Sequence, residues 1–390
     1  MVAQVINLSP ADIFRDYCDR YDISKGTYYY GIFGLELRRL SLKDAEVIFN
    51  HMSSKGERVF QRVVEDNSVN LFLIGSIRKF KFIAERLSQR SFGALSTRLF
   101  NIINLFENYE LTDYRIGDKQ FRFNNAYVMG ILNVTPDSFS DGGNYIDRNL
   151  AVAHGLRMID QGADIIDIGG QSSRPGAEDI DEKLEIERII PVLLKIVQER
   201  PNAVISIDTT KSSVASKALE CGAHIINDIS GGTFDPKIMK TVAKHDATFI
   251  IMHMQGTPQN MQDDPVYNDL IEDVYDFLYS QIKKAKSAGI RNIFVDPGIG
   301  FGKTVEDNFN LINRLADFKS LSYPIVIGLS RKSFIGKTLN LDIENRDVPT
   351  SILETISLEN SARIIRTHNV ENGVMVRDLF NKTKTNQNNG

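Results

Sequence analysis

Several polar residues of this chain stand where short apolar runs end. Asp208 closes Ile205-Ser-Ile-Asp, Asn227 closes His224-Ile-Ile-Asn, and Asp296 closes Ile293-Phe-Val-Asp. Carboxylates accept hydrogen bonds, and an amide both accepts and donates. A heterocycle with an amidine-like edge needs that combination. Lys332 follows Ser330-Arg331 just after another apolar run and opens a helix. Arg366 and His368 alternate at the last run. Together these three cations suit an anionic leaving group. A satisfied structural network is the competing reading for any one of these residues alone.

Two loops add to the set. Asn133 ends an apolar run, and Thr135, Asp137, Ser138, Ser140 and Asp141 follow before Gly142-Gly143. Mg²⁺ takes few protein oxygens and shares the rest with phosphate and water. Asn133 and Asp141 are the plausible oxygen donors. The alternative is a turn whose Asn, Asp and Ser side chains bond their own backbone. The second loop is Gly169-Gly-Gln-Ser-Ser-Arg-Pro-Gly176, in which Arg174 offers a planar fork for phosphate. Gly, Ser and Pro also serve simply as turn residues.

These positions require elements that bring strand ends together. From about residue 126 short apolar runs alternate with amphipathic helical stretches. The runs are Tyr127–Leu132, Asp164–Ile168, Ala203–Ile207, His224–Ile226, Thr248–Met252, Ile293–Val295, Pro324–Ile327 and Arg363–Ile365. They are β-branched and nearly continuous in hydrophobicity, as parallel strands covered on both faces are. The clearest helix is expected after Asp264-Pro265, with Leu270, Val274, Phe277, Leu278, Ile282 and Ala285 on one face and an end near Gly289. Eight strand–helix units predict an α/β fold, a closed (β/α)₈ TIM barrel. An open doubly wound sheet is the alternative. In the barrel, chemistry gathers at the carboxyl ends of the strands, where the polar residues fall.

Residues 1–112 read as a small α/β domain with no metal spacing, phosphate loop or nucleophile–base pairing. Its expected elements are a strand at Tyr28–Leu37, a helix at Leu42–Met52, a strand at Val69–Ile74, and helices at Ile77–Leu87 and Leu95–Glu107. A hairpin of Tyr114–Ile116 and Phe121–Phe123 around Gly117-Asp118 would close the barrel floor. The barrel domain is expected over 113–381, and a polar, disordered tail over 382–390.

Composition narrows the class. The 390 residues are 42% hydrophobic and 25% charged, with net charge -4. No global basic field points to nucleic acid. No apolar run approaches a membrane span. The amino terminus lacks the basic and apolar regions of a signal peptide. Cys18 and Cys221 are too few for a disulfide framework and read as two buried thiols, which fits a cytoplasmic setting.

From about Tyr127 to Leu379 the chain resembles the dihydropteroate synthases. The segments that carry the resemblance are Met129–Gly143, Gly169–Ala177, Ser206–Thr209, Gly222–Ser230, Met252–Gln262, Asp296–Lys303, Leu329–Gly336 and Arg366-Thr-His368. The resemblance implies that a dihydropterin-methyl diphosphate condenses with p-aminobenzoate, releasing pyrophosphate and 7,8-dihydropteroate. It implies Mg²⁺ at Asn133 with Asp141 nearby, and pterin at Asp208, Asn227, Asp296 and Lys332. It puts the diphosphate at Ser173, Arg366 and His368, with Arg174 on the second loop. Phe139, Phe301 and Ser333 would frame p-aminobenzoate. A homodimer through barrel helices is the family default. Gln171, Ser173 and Asn369 depart from the usual Glu, Thr and Asp, which leaves the shape of the p-aminobenzoate end open at Ser173. A pterin-binding methyltransferase of the methyltetrahydrofolate:corrinoid type, or a synthase using another arylamine, are the alternatives.

Overall fold

The computed structural model describes residues 2–8, 11–23, 33–53, 58–64, 68–88, 92–109, 111–135, 144–172, 176–177 and 179–385. The chain divides into two compact units. The first comprises Met1–Glu110 together with Ala316–Ser322, and the second holds the rest.

In the first unit the elements are β1 (Val2–Asn7), α1 (Ala11–Arg20), β2 (Phe33–Leu40), α2 (Leu42–Ser53), β3 (Val59–Val63), β4 (Val69–Gly75), α3 (Ile77–Ser88) and α4 (Gly93–Asn108). The strands form an antiparallel sheet in the order β1-β2-β4-β3. β4 is buried over six of its seven residues, Asn70 included, and covered on both faces, which explains its unbroken Leu71-Phe-Leu-Ile run. One face packs Leu35, Leu37, Leu71 and Leu73 against Ile48, Phe80, Ile83 and Leu99. The other packs Ile6, Phe72 and Ile74 against Phe14 and Tyr17.

The helices expected in this unit are present, with each end within two residues of its expected place. Of the first expected strand, Phe33–Leu37 lies in β2, and 28–32 lie outside the described residues. β1, α1 and β3 were not foreseen. β1 is defined by pairing with β2 from Val2↔Arg38 to Asn7↔Phe33, a contact between segments that sequence periodicity does not link.

The second unit opens with a hairpin, β5 (Tyr114–Ile116) and β6 (Lys119–Phe121). The Gly117-Asp118 turn is as expected, but the return strand starts at Lys119 and Phe123 lies beyond it. Eight parallel strands follow: β7 (Tyr127–Asn133), β8 (Ile165–Gly169), β9 (Val204–Asp208), β10 (Ile225–Asp228), β11 (Thr248–Met252), β12 (Ile293–Asp296), β13 (Ile325–Ile327) and β14 (Ala362–Thr367). They close into a barrel, with β14 pairing back onto β7. The open sheet is thereby excluded. Tyr114, Ile116, Phe121 and Phe123 pack against Tyr127, Ile165, Val204, Ile225 and Phe294 at the amino ends of the strands. The hairpin therefore plugs the floor, and the mouth lies at the carboxyl ends.

The barrel helices are α5 (Asn144–Asp160), α6 (Glu182–Glu199), α7 (Ser212–Glu220), α8 (Ile238–Lys244), α9 (Leu270–Ala288), α10 (Val305–Asn313), α11 (Ser333–Leu339), α12 (Asp347–Glu359) and α13 (Val370–Thr385). α9 does not start at Asp264-Pro265. Asp264 has a left-handed backbone, φ 49°, and Asp269 caps the helix by accepting from the Glu272 amide at 2.8 Å. The Asp269-x-x-Glu272 spacing was the better signal. Gly289 ends the helix at φ 100°, as expected. α13 runs to Thr385, so the tail is helical past residue 382. Thr383 donates to the Phe380 carbonyl and Lys384 pairs with Glu359 at 2.8 Å, which extends the helix. Cys18 is buried, whereas Cys221 is only partly so. Among the described residues no helix is long and apolar enough to cross a membrane.

Candidate active site

Strand register builds the centre of the mouth. Asn133 pairs with Gly169, Gly169 with Asp208, and Asp208 with Asn227. Four adjacent strands, β7 to β10, thus present these residues at one level. Gly169 sits between the two neighbouring side chains: a Cβ there would stand in ordinary contact, 3.6 Å from Asn133 Oδ1 and 3.5 Å from Asp208 Cβ. On the other side of the barrel Asp296 ends β12, buried, and accepts from the Gly298 amide at 2.7 Å. Gly298 is required. Its φ is 73°, and a Cβ would fall 1.8 Å from the His253 carbonyl. That close approach pins the Asp296–Lys303 loop against the end of β11.

Arg366 reaches from β14 across to β8 and β9. Its Nε donates to Asp167 at 2.7 Å and its terminal nitrogen to Asp208 at 2.8 Å. Asn227 Nδ2 also donates to Asp167, at 3.0 Å. Asp167 is fully buried, and its second oxygen has no hydrogen-bond partner among the described residues. It was missed because it sits inside β8, two residues before the strand end. The alternation Ile165, Asp167, Gly169 on one face was the available signal.

The cations have different partners. Arg366 turns to the two acids, while His368 Nδ1 lies 2.9 Å from Ser330 Oγ. Lys332 Nζ donates to the Ile299 carbonyl and stands 4.2 Å above the Phe301 ring. Its position is set by the turn before it. Arg331 has φ 57° and is held by Asp347 through two bonds of 2.6 and 2.9 Å. Asn369 donates to the same Asp347 at 2.9 Å, which an ionised Asp at 369 could not do. Ser333 is the first residue of α11 and exposed. Ser173, Arg174, Phe139 and Asp141 lie outside the described residues.

Lys303 was also missed. It is buried, with Nζ 3.0 Å from His253 Nδ1 and 2.9 Å from the Phe301 carbonyl. Its place at the end of a glycine-rich loop hid it.

Burial dominates the electrostatics. It raises the Asp208 carboxyl to about 7; Arg366 works against this, while Asp167, Glu185 and Asp228 add to it. Burial likewise raises Asp296, opposed by the Gly298 amide and by Lys332 and Arg366. Lys332 and Lys303 are each brought down to about 7 by burial, with Asp296 opposing both shifts. His253 falls well below its ordinary value through burial and the adjacent Lys303. The mouth is thus a set of buried acids and bases that a polar, charged ligand would re-solvate. Asp208 lines a cavity of about 580 Å³, and Ser333, Lys303 and Gly300 line a second of about 410 Å³.

Residues 129–368 match the profile of the family described as "Pterin binding enzyme". The chain is 47% identical over 249 residues to the dihydropteroate synthase of Synechocystis sp., covering 63% of this chain and 86% of that protein. It is 46% identical over 246 residues to that of Bacillus subtilis, covering 63% and 84%. Among solved structures, the Yersinia pestis dihydropteroate synthase in a sulfonamide drug complex superposes with a TM-score of 0.67 at 37% identity, covering 70% of this chain and 100% of that one. The Xanthomonas albilineans dihydropteroate synthase with 4-aminobenzoic acid gives 0.66 at 35%, covering 70% and 98%. The chain belongs to the pterin-binding enzyme family. Within that family its activity is dihydropteroate synthesis, a pterin-methyl transfer in folate biosynthesis.

Proposed function

We propose that Asp208, Asn227, Asp296 and Lys332 bind the pterin, that Arg366 and His368 with Ser173 and Arg174 hold the diphosphate, and that Phe301 and Ser333 with Phe139 frame p-aminobenzoate. The observation that supports this best is the register row Asn133–Gly169–Asp208–Asn227, which faces the barrel mouth. Its carboxylate and amide match a heterocycle that offers several N–H donors on one edge. Pterin and 4-aminobenzoic acid are the ligands of the family and of the Xanthomonas structure respectively.

Breaking the C–O bond to diphosphate leaves positive charge on the pterin-methyl group and negative charge on the leaving group. The half-buried carboxylate of Asp208 and the buried one of Asp296 stabilise the first, and Arg366 the second, in a site where water screens little. The arylamine lone pair then forms the new C–N bond and gives up its proton, so no strong base is needed. Mg²⁺ fits the oxygen donors of the row: the amide oxygen of Asn133 lies beside Gly169, which also neighbours the Asp208 side chain. Asn133 would hold the ion, together with Asp141. Bound there, it would neutralise diphosphate charge.

A homodimer acting in the cytoplasm completes the reading. Val348, Ile352 and Ile356 recur every four residues along α12 and are 67%, 56% and 43% exposed. α13 packs beside α12 and adds exposed Met375 and Leu379. Such an apolar stripe is what a second copy would cover. Val348→Lys with Ile352→Lys should halve the mass seen by light scattering while leaving the barrel folded. A parent chain that is already monomeric at micromolar concentration would refute the dimer.

A further inference from the structure

The connection from β12 to α10, residues 297–304, is held by side chains along its backbone. Four consecutive carbonyls each accept from one. Ile299 accepts from Lys332, Gly300 from Gln262 Nε2 at 2.9 Å, Phe301 from Lys303 Nζ at 2.9 Å, and Gly302 from the Tyr267 hydroxyl at 2.6 Å. The Gly300 amide donates to Asn308 Oδ1 at 2.6 Å and the Phe301 amide to the Gly298 carbonyl at 3.1 Å. Gly302, at φ 64°, comes so close to the exit of β11 that a Cβ would fall 2.6 Å from the Gln255 carbonyl. Side chains on a loop anchored this often are preorganised.

Of the four anchoring side chains only Lys303 is buried. Its second partner is His253 Nδ1 at 3.0 Å. His253 is itself fixed: its amide donates to the Asp296 carbonyl at 3.0 Å, and its ring meets Phe277 edge-on at 5.0 Å. Lys303 thus ties the Phe301 backbone to the end of β11. The half-buried Phe301 ring packs on Ile229, Met252, Met254 and Met261, with Lys332 Nζ 4.2 Å from its centre. The anchored backbone sets the place of the ring between the methionines and Lys332. Lys303 and Gly300 also share the wall of the cavity of about 410 Å³ with Ser333, the other described residue read above as framing p-aminobenzoate.

Holding a carbonyl with a buried amine is costly. Burial and Lys332 bring the Lys303 amine down to about 7, against the pull of Asp296 and Asp307. A methionine would fill much of the same space without that desolvation. The cost makes sense where the anchored residue serves the reaction.

We infer that Lys303 is a positioning residue that acts through Phe301: by holding the Phe301 carbonyl against the end of β11, it sets the ring where p-aminobenzoate packs. This rests on the reading given above for Phe301. The rival account makes Lys303 a support for the whole β12–α10 connection, Asp296 included, so that both substrates suffer alike. Full-length variants assayed by pyrophosphate release separate the two. Lys303→Met should raise the KM for p-aminobenzoate by roughly tenfold, with the KM for the pterin diphosphate changed far less. Equal rises in both KM values, or an unchanged KM for p-aminobenzoate in the folded variant, would overturn the inference. Phe301→Ala should also raise the KM for p-aminobenzoate. Adding Lys303→Met to it should raise that KM little further, because the ring that Lys303 places is already gone. Additive rises would put the action of Lys303 elsewhere and overturn the inference. A silent Phe301→Ala would sink the reading of Phe301 and the inference with it. An effect of Phe301→Ala beside a silent Lys303→Met would sink the inference alone. Should Lys303→Met not fold, Lys303→Gln, one atom shorter and still polar beside His253, carries the same comparison with the same outcomes.

Discussion

Replacing Arg366 with methionine should lower kcat/KM for the pterin diphosphate by about 10³-fold, near the upper end for loss of one preorganised electrostatic group. The same change should destabilise the fold by about 3–5 kcal/mol, the range for removing one partner of a buried ion pair. Methionine keeps much of the apolar volume and removes the charge. What remains is Asp167, fully buried, facing Asp208 with no cation between them. Arg366 is the group that opposes the upward shift of Asp208. Its removal therefore pushes that carboxyl further towards the neutral form, and a neutral Asp208 stabilises a cationic pterin less. Kinetics and thermal melting read the two effects separately. Asp167→Asn in the same variant should recover part of the melting temperature and none of the turnover. Near-normal kinetics in folded Arg366→Met would refute the assignment of charge at this corner.

Lys332→Ala should reduce kcat/KM for the same substrate by about 10²–10³-fold and alter its pH dependence. The Lys332 ammonium is present below about pH 7 and lost above it, because burial favours the neutral amine. In the parent chain kcat/KM, which reports the free enzyme, should therefore show an alkaline limb from Lys332 and an acid limb from Asp208, whose carboxylate forms over the same range near 7. Lys303 titrates in the same range but lies against His253 and the Phe301 carbonyl. Substitution tells the two apart. The alkaline limb should disappear in Lys332→Ala and move upward in Lys332→Arg, which keeps its charge. A limb unchanged in both variants would assign it elsewhere.

The barrel was legible because its strands are buried on both faces and read as apolar runs. Each predicted run lies within two residues of a strand. The pterin set was legible for a related reason: Asp208 and Asp296 are the final residues of their strands and Asn227 the next to last, so a polar residue ends an apolar run. Asp167 escaped because its significance depends on Arg366, which lies 199 residues away in sequence. Lys303 escaped because loop lysines are ordinarily solvated, and only the packing reveals that it is buried. β1 and β3 are the outer strands of their sheet, and β3 buries one residue of five, so its apolar signal is weak.

The most direct test is turnover by the full chain supplied with 7,8-dihydropterin-6-ylmethyl diphosphate, p-aminobenzoate and Mg²⁺. Pyrophosphate and 7,8-dihydropteroate should appear in equal amounts, and only when both organic substrates are present. A folded chain that releases no pyrophosphate, or releases it without consuming the arylamine, would contradict the account.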